Sequence, residues 1–286
     1  MAKEYLARNA TSLAATSWYL ADGTTPGSGF SGAATLIIDQ GGQAIVDDCD
    51  QSGSTTGIES LDIMPDFTGK CGDDTHPFKF DADGTSESLA NVVSRVKYWA
   101  GTGWLYYHSA NGCHILQIKT GGKANLVGGG FKHVHLDDGS AQFTDQTTCT
   151  ASGTWYINGG TLTLEKHASN TFNVININGG GSSSTPHGIY RGGTTLAINN
   201  GRALLDVKNG TVSNINMTNG YLQLLSHNAT GPTLNAQGGT IDFSKLARPI
   251  TLSSPVLGRV TFVGFNRSMV TLSSPQYVGG GPIGIN

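Results

Sequence analysis

Ile157-Asn158-Gly159-Gly160-Thr161-Leu162-Thr163-Leu164-Glu165 decides the fold, because a sharp corner and a strand stand back to back in it. Asn-Gly supplies the positive φ that a tight corner needs. Leu162 and Leu164 then fall on one face, the period-two pattern of a strand buried on one side only. The unit recurs. Ile177-Asn178-Gly179-Gly180 repeats its corner, and Gln237-Gly238-Gly239-Thr240-Ile241 repeats corner and strand together. With Asn200-Gly201 and Asn219-Gly220 included, the corner glycines stand at 159, 179, 201, 220 and 238, in steps of 20, 22, 19 and 18. Near-constant spacing of this kind marks a solenoid, in which each repeat is one supersecondary unit stacked on its neighbours.

Strands follow most of these corners. Leu205 and Val207 bracket Asp206, Leu222 and Leu224 bracket Gln223, and Ile241 and Phe243 bracket Asp242. A second strand fits between corners, as in Thr211 to Met217. The spacing predicts that Leu162, Leu164, Leu196, Ile198, Leu205, Val207, Leu222, Leu224, Ile241 and Phe243 point inward. An antiparallel sandwich would instead use Asn-Gly for hairpins, with strands about 8–12 residues apart. The gaps from Gly201 to Gly210 to Gly220 have that length. Recurrence of similar segments about twenty residues apart favours stacked coils, and a hairpin at Asn209-Gly210 or Asn219-Gly220 would exclude them.

Working outward, the rhythm fades upstream of the repeat. Strand-like pieces remain at Ala34 to Asp39, Gly42 to Val46, Ser60 to Met64, His114 to Lys119 and Phe131 to Leu136. Leu89, Val92, Val93 and Val96 give Ser86 to Val96 helical spacing, against its β-branched content. Residues 1–32 lack the repeat and read as an N-terminal arm and cap, whose removal is expected to leave a folded rod. Residues 277–286 read as a short C-terminal tail with no core of its own. The expected fold is all-β: a single right-handed parallel β-helix over residues 33–276.

Composition agrees. Of 286 residues, 41 are glycine and only 13% are charged, about half the usual share. Gly, Ser, Thr and Asn fill the gap, as turns and solvated strand faces require. A net charge of −3 with scattered Lys and Arg gives no basic field, so no nucleic-acid partner is expected. No apolar run approaches the ~20 residues of a membrane span. Glu4 and Arg8 interrupt any signal-peptide core, which reads as a cytosolic start. Cys49, Cys71, Cys113 and Cys149 lack C-x-x-C spacing, so they read as reduced core fillers.

Few residues suggest chemistry. Asp47-Asp48, Asp73-Asp74 and Asp137-Asp138 are adjacent, and neighbours on a strand point to opposite faces. They read as solvated turn acids. His133, His135 and Asp137 alternate with Val134 and Leu136, so one face could present imidazoles and a carboxylate to a divalent metal. The same pattern describes a polar outer face, and no metal is assigned. Trp99, Trp104, Tyr106 and Tyr107 could stack on a sugar or fill a wide coil. Gly128-Gly129-Gly130 and Gly179-Gly180-Gly181 lack the Lys-Ser/Thr of a phosphate loop. No catalytic residue and no cofactor is assigned.

Three segments carry a resemblance: Leu36-Ile37-Ile38-Asp39, Ile58 to Gly69 (IESLDIMPDFTG), and Gly239-Thr240-Ile241-Asp242-Phe243-Ser244 together with the Asn-Gly-Gly-Thr-Leu rungs. In these the chain, over about residues 33 to 260, resembles phage-encoded parallel β-helix virion structural proteins. The arm departs most from that pattern. The resemblance implies a capsid-associated, trimeric structural protein and transfers no catalytic residue. The expectation is therefore a non-enzymatic bacteriophage capsid decoration or stabilisation subunit. It would be assembled in the host cytoplasm and displayed on the capsid exterior, with itself and the major capsid protein as partners. Unpaired strand edges at the ends of a lone solenoid also favour a closed homotrimer. The competing reading is a tail-spike-like protein that binds or degrades a host surface glycan.

Overall fold

The computed structural model describes residues 3–29, 35–51, 60–73, 76, 78–80, 95–98, 104–118, 123–143, 149–165, 171–208 and 210–285. Between 95 and 133 it describes the backbone alone. Among these residues there is no α-helix, only a 3-10 turn at Ala15–Ser17. Parallel strands stack coil upon coil as a β-solenoid. Two compact units divide the chain, Met1–Ser152 and Gly153–Asn286.

In the second unit one ladder runs through Cys149–Ile157, Thr171–Ile177, Gly192–Ile198, Val212–Met217, Thr233–Asp242, Val256–Val263 and Gln276–Tyr277. Those seven strands make about six turns. Along this ladder Ile177, Ile198, Met217, Ala236, Leu257 and Tyr277 fall in register, their positions climbing by an almost constant interval near twenty. The first five are buried and Tyr277 is 59% exposed. A second ladder stacks Leu164, Ile189, Leu205 and Leu224, all buried. All ten residues predicted to point inward are at most 3% exposed. Strands on either side of Gly220 pair in parallel with other coils, Arg202–Asp206 with Tyr221–Ser226 and Val212–Met217 with Thr233–Asp242, so no hairpin forms there. Asn209 lies outside the described residues.

Two corners turn at the expected glycine, Gly201 and Gly220, and three turn one residue later. Positive φ falls at Gly160, Gly180, Gly201, Gly220 and Gly239, again at near-constant intervals. In the pairs 159-160, 179-180 and 238-239 it is the second glycine that turns. Successive glycines stack so closely that a Cβ on Gly220 would lie 2.7 Å from the carbonyl of Gly201, and one on Gly239 2.5 Å from that of Gly220. The same corner carries a side-chain ladder. Asn178 Nδ2 donates to Asn158 Oδ1 at 2.9 Å, Asn199 Nδ2 to Asn178 Oδ1 at 2.8 Å, and Thr218 Oγ1 to Asn199 Oδ1 at 3.3 Å.

The first unit is built on longer, uneven coils. Its main ladder aligns Leu36, Leu61, Val96, Leu116 and Val134, and the chain between one rung and the next varies almost twofold in length. Val96 lies in strand Arg95–Tyr98, in register with Leu61 and Leu116. The helical spacing of Ser86 to Val96 therefore gives way there to ladder pairing, which β-branched residues favour; residues 86–94 lie outside the described ones.

The segment expected as an arm is packed into the first unit. Lys3–Leu6 pairs in parallel with Thr35–Ile38 and antiparallel with Trp18–Leu20. Leu13 and Trp18 are fully buried, and the indole N–H donates to the Leu13 carbonyl at 3.1 Å. Glu4, 4% exposed, accepts the N–H groups of Ser28 and Gly29 at 2.8 and 2.7 Å. The far edge of Trp18–Leu20 is closed by a returning turn, with Leu20 N–H donating to Thr25 and Gly27 N–H to Trp18. Asp22 holds that turn. The Thr25 side chain, then the Thr25 and Thr24 N–H groups, bring its carboxyl down to about 2. Removing residues 1–32 would strip buried side chains from the first coil, so the folded rod expected from that truncation does not follow. At the opposite end of the sequence, the expected tail contributes rungs too: Gln276–Tyr277 pairs with Val256–Leu257, and Gly284–Ile285 with Thr261–Phe262.

Candidate functional site

The residues singled out from sequence do not converge. Of the metal candidate, His135 and Asp137 are half-buried on the outer face while Val134 and Leu136 are buried, as alternation requires. The His133 side chain lies outside the described residues. Among the described residues no group of three or more His, Cys, Asp or Glu could hold a metal ion. Trp99 is outside them, and of Trp104, Tyr106 and Tyr107 only the backbone is described.

The acidic pairs make local bonds. Asp47 accepts from Thr11 at 3.2 Å and Asp48 from Ser12, tying the cap to the first coil. Asp73 accepts the His76 N–H at 2.7 Å, and Asp74 lies outside the described residues. Asp137 is half-buried and Asp138 exposed. Cys49 and Cys71 are buried free thiols. Burial, aided by Asp73, Asp47 and Asp48, pushes Cys49 up to about 12. Burial likewise raises Cys71, and both groups are favoured as thiols over thiolates. The side chains of Cys113 and Cys149 lie outside the described residues.

Polar groups that alternation did not single out are hydrogen-bonded into the coil wall. His187 stands in line with the buried Ala203, where an apolar side chain would ordinarily fill the column. Its Nδ1 accepts the Leu162 N–H at 3.0 Å. Nε2 therefore carries the proton and donates to the Gly179 carbonyl at 2.9 Å. Burial depresses its pKa, against the pull of that carbonyl, and keeps the ring neutral. Both ring nitrogens are occupied by backbone. His227 also sits in the wall, accepting the Val212 N–H through Nε2 at 2.9 Å.

Two outer-face constellations hold more chemistry. In the first, Asp242 accepts from the Tyr221 hydroxyl, from Gln223 Nε2 at 3.0 Å and from the Ser244 N–H at 2.8 Å. Burial opposes ionisation there, but the Ser244, Tyr221 and Gln223 hydrogen bonds outweigh it and hold the carboxyl below its ordinary range. Burial, then Asp242, raises the Tyr221 phenol. The Arg202 guanidinium stands 3.5 Å above the Tyr221 ring centroid, a cation–π contact. The group is largely self-satisfied and clamps three coils together.

The second constellation is a recess of about 230 Å³ lined by Glu165, Tyr190, Asp206 and Lys208. Leu164, Ile189 and Leu205 are ladder neighbours, so Glu165, Tyr190 and Asp206, which follow them, occupy successive rungs of one outward column. The first interval of that column is longer than the repeat and the second shorter, which hid it from the twenty-residue rhythm. In the first unit a larger recess of about 600 Å³ lies on the cap, with Tyr5, Arg8, Tyr19 and Asp39 among its walls.

Comparison with known proteins finds no matching family model, no matching curated protein and no matching solved structure. No helix of the described residues is long and apolar enough to cross a membrane.

Proposed function

We propose that this chain is a structural subunit of a bacteriophage virion, a decoration or stabilisation protein on the capsid exterior. One observation carries the reading: a set of polar side chains in the second unit joins one coil to the next. The Asn158–Asn178–Asn199–Thr218 ladder and the Asp242 clamp link successive coils, and the two wall histidines accept the backbone N–H groups of Leu162 and Val212. Each neutral bond adds about 0.5–1.5 kcal/mol, and together they stiffen the stack of coils. A stiff spacer is what a decoration subunit has to be.

The sequence resemblance supplies the virion setting, and the major capsid protein is then the natural partner. Self-association into a homotrimer is supported by three exposed apolar side chains, Tyr277, Val278 and Ile283, at 59%, 52% and 67%. Large apolar side chains left exposed favour contact with another surface. In this reading the chain catalyses nothing.

Two measurements test it. Cryo-electron imaging of purified virions should resolve this subunit on the shell, and sedimentation of the isolated chain should give a trimer. A monomer that is absent from virions would end the proposal. Truncation at residue 32 is a poor test, because it opens the first coil. Tyr277→Ser with Ile283→Ser leaves the buried column intact and should weaken assembly without unfolding the chain.

A further inference from the structure

We propose that the recess at Tyr190 binds one sugar ring of a polysaccharide, an activity separate from the structural role above. The argument begins with Gly188. A Cβ at this position would lie 2.6 Å from Cε2 and 3.2 Å from the hydroxyl of Tyr190. The Tyr190 ring is therefore folded back against the backbone at Gly188, two residues along the same face, and only glycine lets it lie so low. The ring covers Gly188 and is itself partly exposed.

Carboxylates flank that platform. Glu165 is one rung before Tyr190 and Asp206 one rung after, so at ~4.8 Å per rung their backbones straddle it by roughly 10 Å. Both are fixed at their base. Ser226 donates to Asp206 Oδ1, and the buried Arg191 donates through Nε to the Glu165 carbonyl. Lys208, exposed, closes the recess with an ammonium donor. A flat aromatic face ringed by two acceptors and one donor matches a pyranose, which has an apolar C–H face and a rim of hydroxyls.

Size sets the kind of ligand. About 230 Å³ is below the roughly 300–1,000 Å³ of sites that engulf a whole ligand, so the recess takes one ring of a longer chain that runs on over the surface. Among the described residues no third His, Cys, Asp or Glu joins the two carboxylates in a metal-binding group.

The test uses the intact chain on an array of bacterial O-antigen and capsular oligosaccharides, with each hit titrated in solution by calorimetry. At least one saccharide should saturate. Tyr190→Ala and Asp206→Asn should each weaken it about tenfold or more, and Tyr190→Phe should bind within about threefold of the parent. Gly188→Ala should lift the ring and weaken binding like Tyr190→Ala; its far-ultraviolet spectrum checks that the sheet survives. No retained saccharide, retention only of a basic peptide, or binding unchanged in both Tyr190→Ala and Asp206→Asn would overturn the proposal. Absence from virions would not touch it, and a silent array would leave the virion reading where it stands.

Discussion

The two units use the same ladder and hold it in different ways. In the second, ladder residues recur at close to every twentieth position, and the same corner brings a glycine and an amide back on nearly every turn. In the first, the chain makes a far longer excursion from Leu61 to Val96 than from Leu116 to Val134. No repeating side-chain ladder is described there. A cap built on Trp18 and Glu4 closes the first coil instead. Regularity distributes stability over many equal contacts; a cap concentrates it in a few. The loss from one substitution should therefore be large and local in the first unit, and small and repeatable in the second.

Trp18→Ala should show the largest effect. It empties a fully buried site and removes the bond to the Leu13 carbonyl, at a cost of about 3–5 kcal/mol. Hydrogen exchange should show lost protection over residues 3–51 with that of residues 171–277 retained. Equal loss in both segments would break the contrast.

Gly220→Ala comes next. With φ at +91° and the Gly201 carbonyl 2.7 Å from the new Cβ, the dihedral alone costs about 1–3 kcal/mol and the clash adds to it. Gly23→Ala is the control: φ there is +70° with nothing within 4 Å, so only the dihedral term remains. Chemical denaturation of the pair separates stacking from strain.

Asn178→Ala removes the middle of the amide ladder and should cost about 1 kcal/mol, since these bonds are exposed. Asn199→Ala should cost a similar amount, and a double variant less than the sum of the two. Strict additivity would mean the rungs are independent.

The smallest effect is in pH. His187 has a depressed pKa in the folded chain, so below its ordinary value of 6.5 the unfolded chain takes up a proton that the folded one refuses. Its contribution is complete above 6.5 and declines as pH falls toward the folded value. Subtracting the denaturation profile of His187→Asn from that of the parent should leave a slope confined to that acid window. A slope on the alkaline side would show that the ring is charged in the fold.

How much of this could be read beforehand follows from the same contrast. Leu162, Leu164, Leu222 and Leu224 were legible because period-two alternation has one physical meaning on a half-buried strand. The corner was legible to within one residue. Adjacent glycines at 159-160, 179-180 and 238-239 look alike in sequence, and only the stacked carbonyls decide which one turns. Val96 was hidden in a helical spacing because its ladder partners, Leu61 and Leu116, are distant in the chain and unequally so. The Glu165–Tyr190–Asp206 column was hidden for a related reason: its outward residues share no type, and the intervening segment around Ser182 to Pro186 shifts the step. Tyr190 would have stood out through Gly188, two positions earlier on the same face.

The sealed first coil has a consequence for biosynthesis. Residues 3–29 close their own outer edge with the turn through Pro26, which has no N–H to offer. Strands made after them add on the other side, where Lys3–Leu6 receives Thr35–Ile38. Growth from the cap is thereby vectorial, each new strand laid on the one before it, and a sibling chain finds no ladder to zip to at the closed edge.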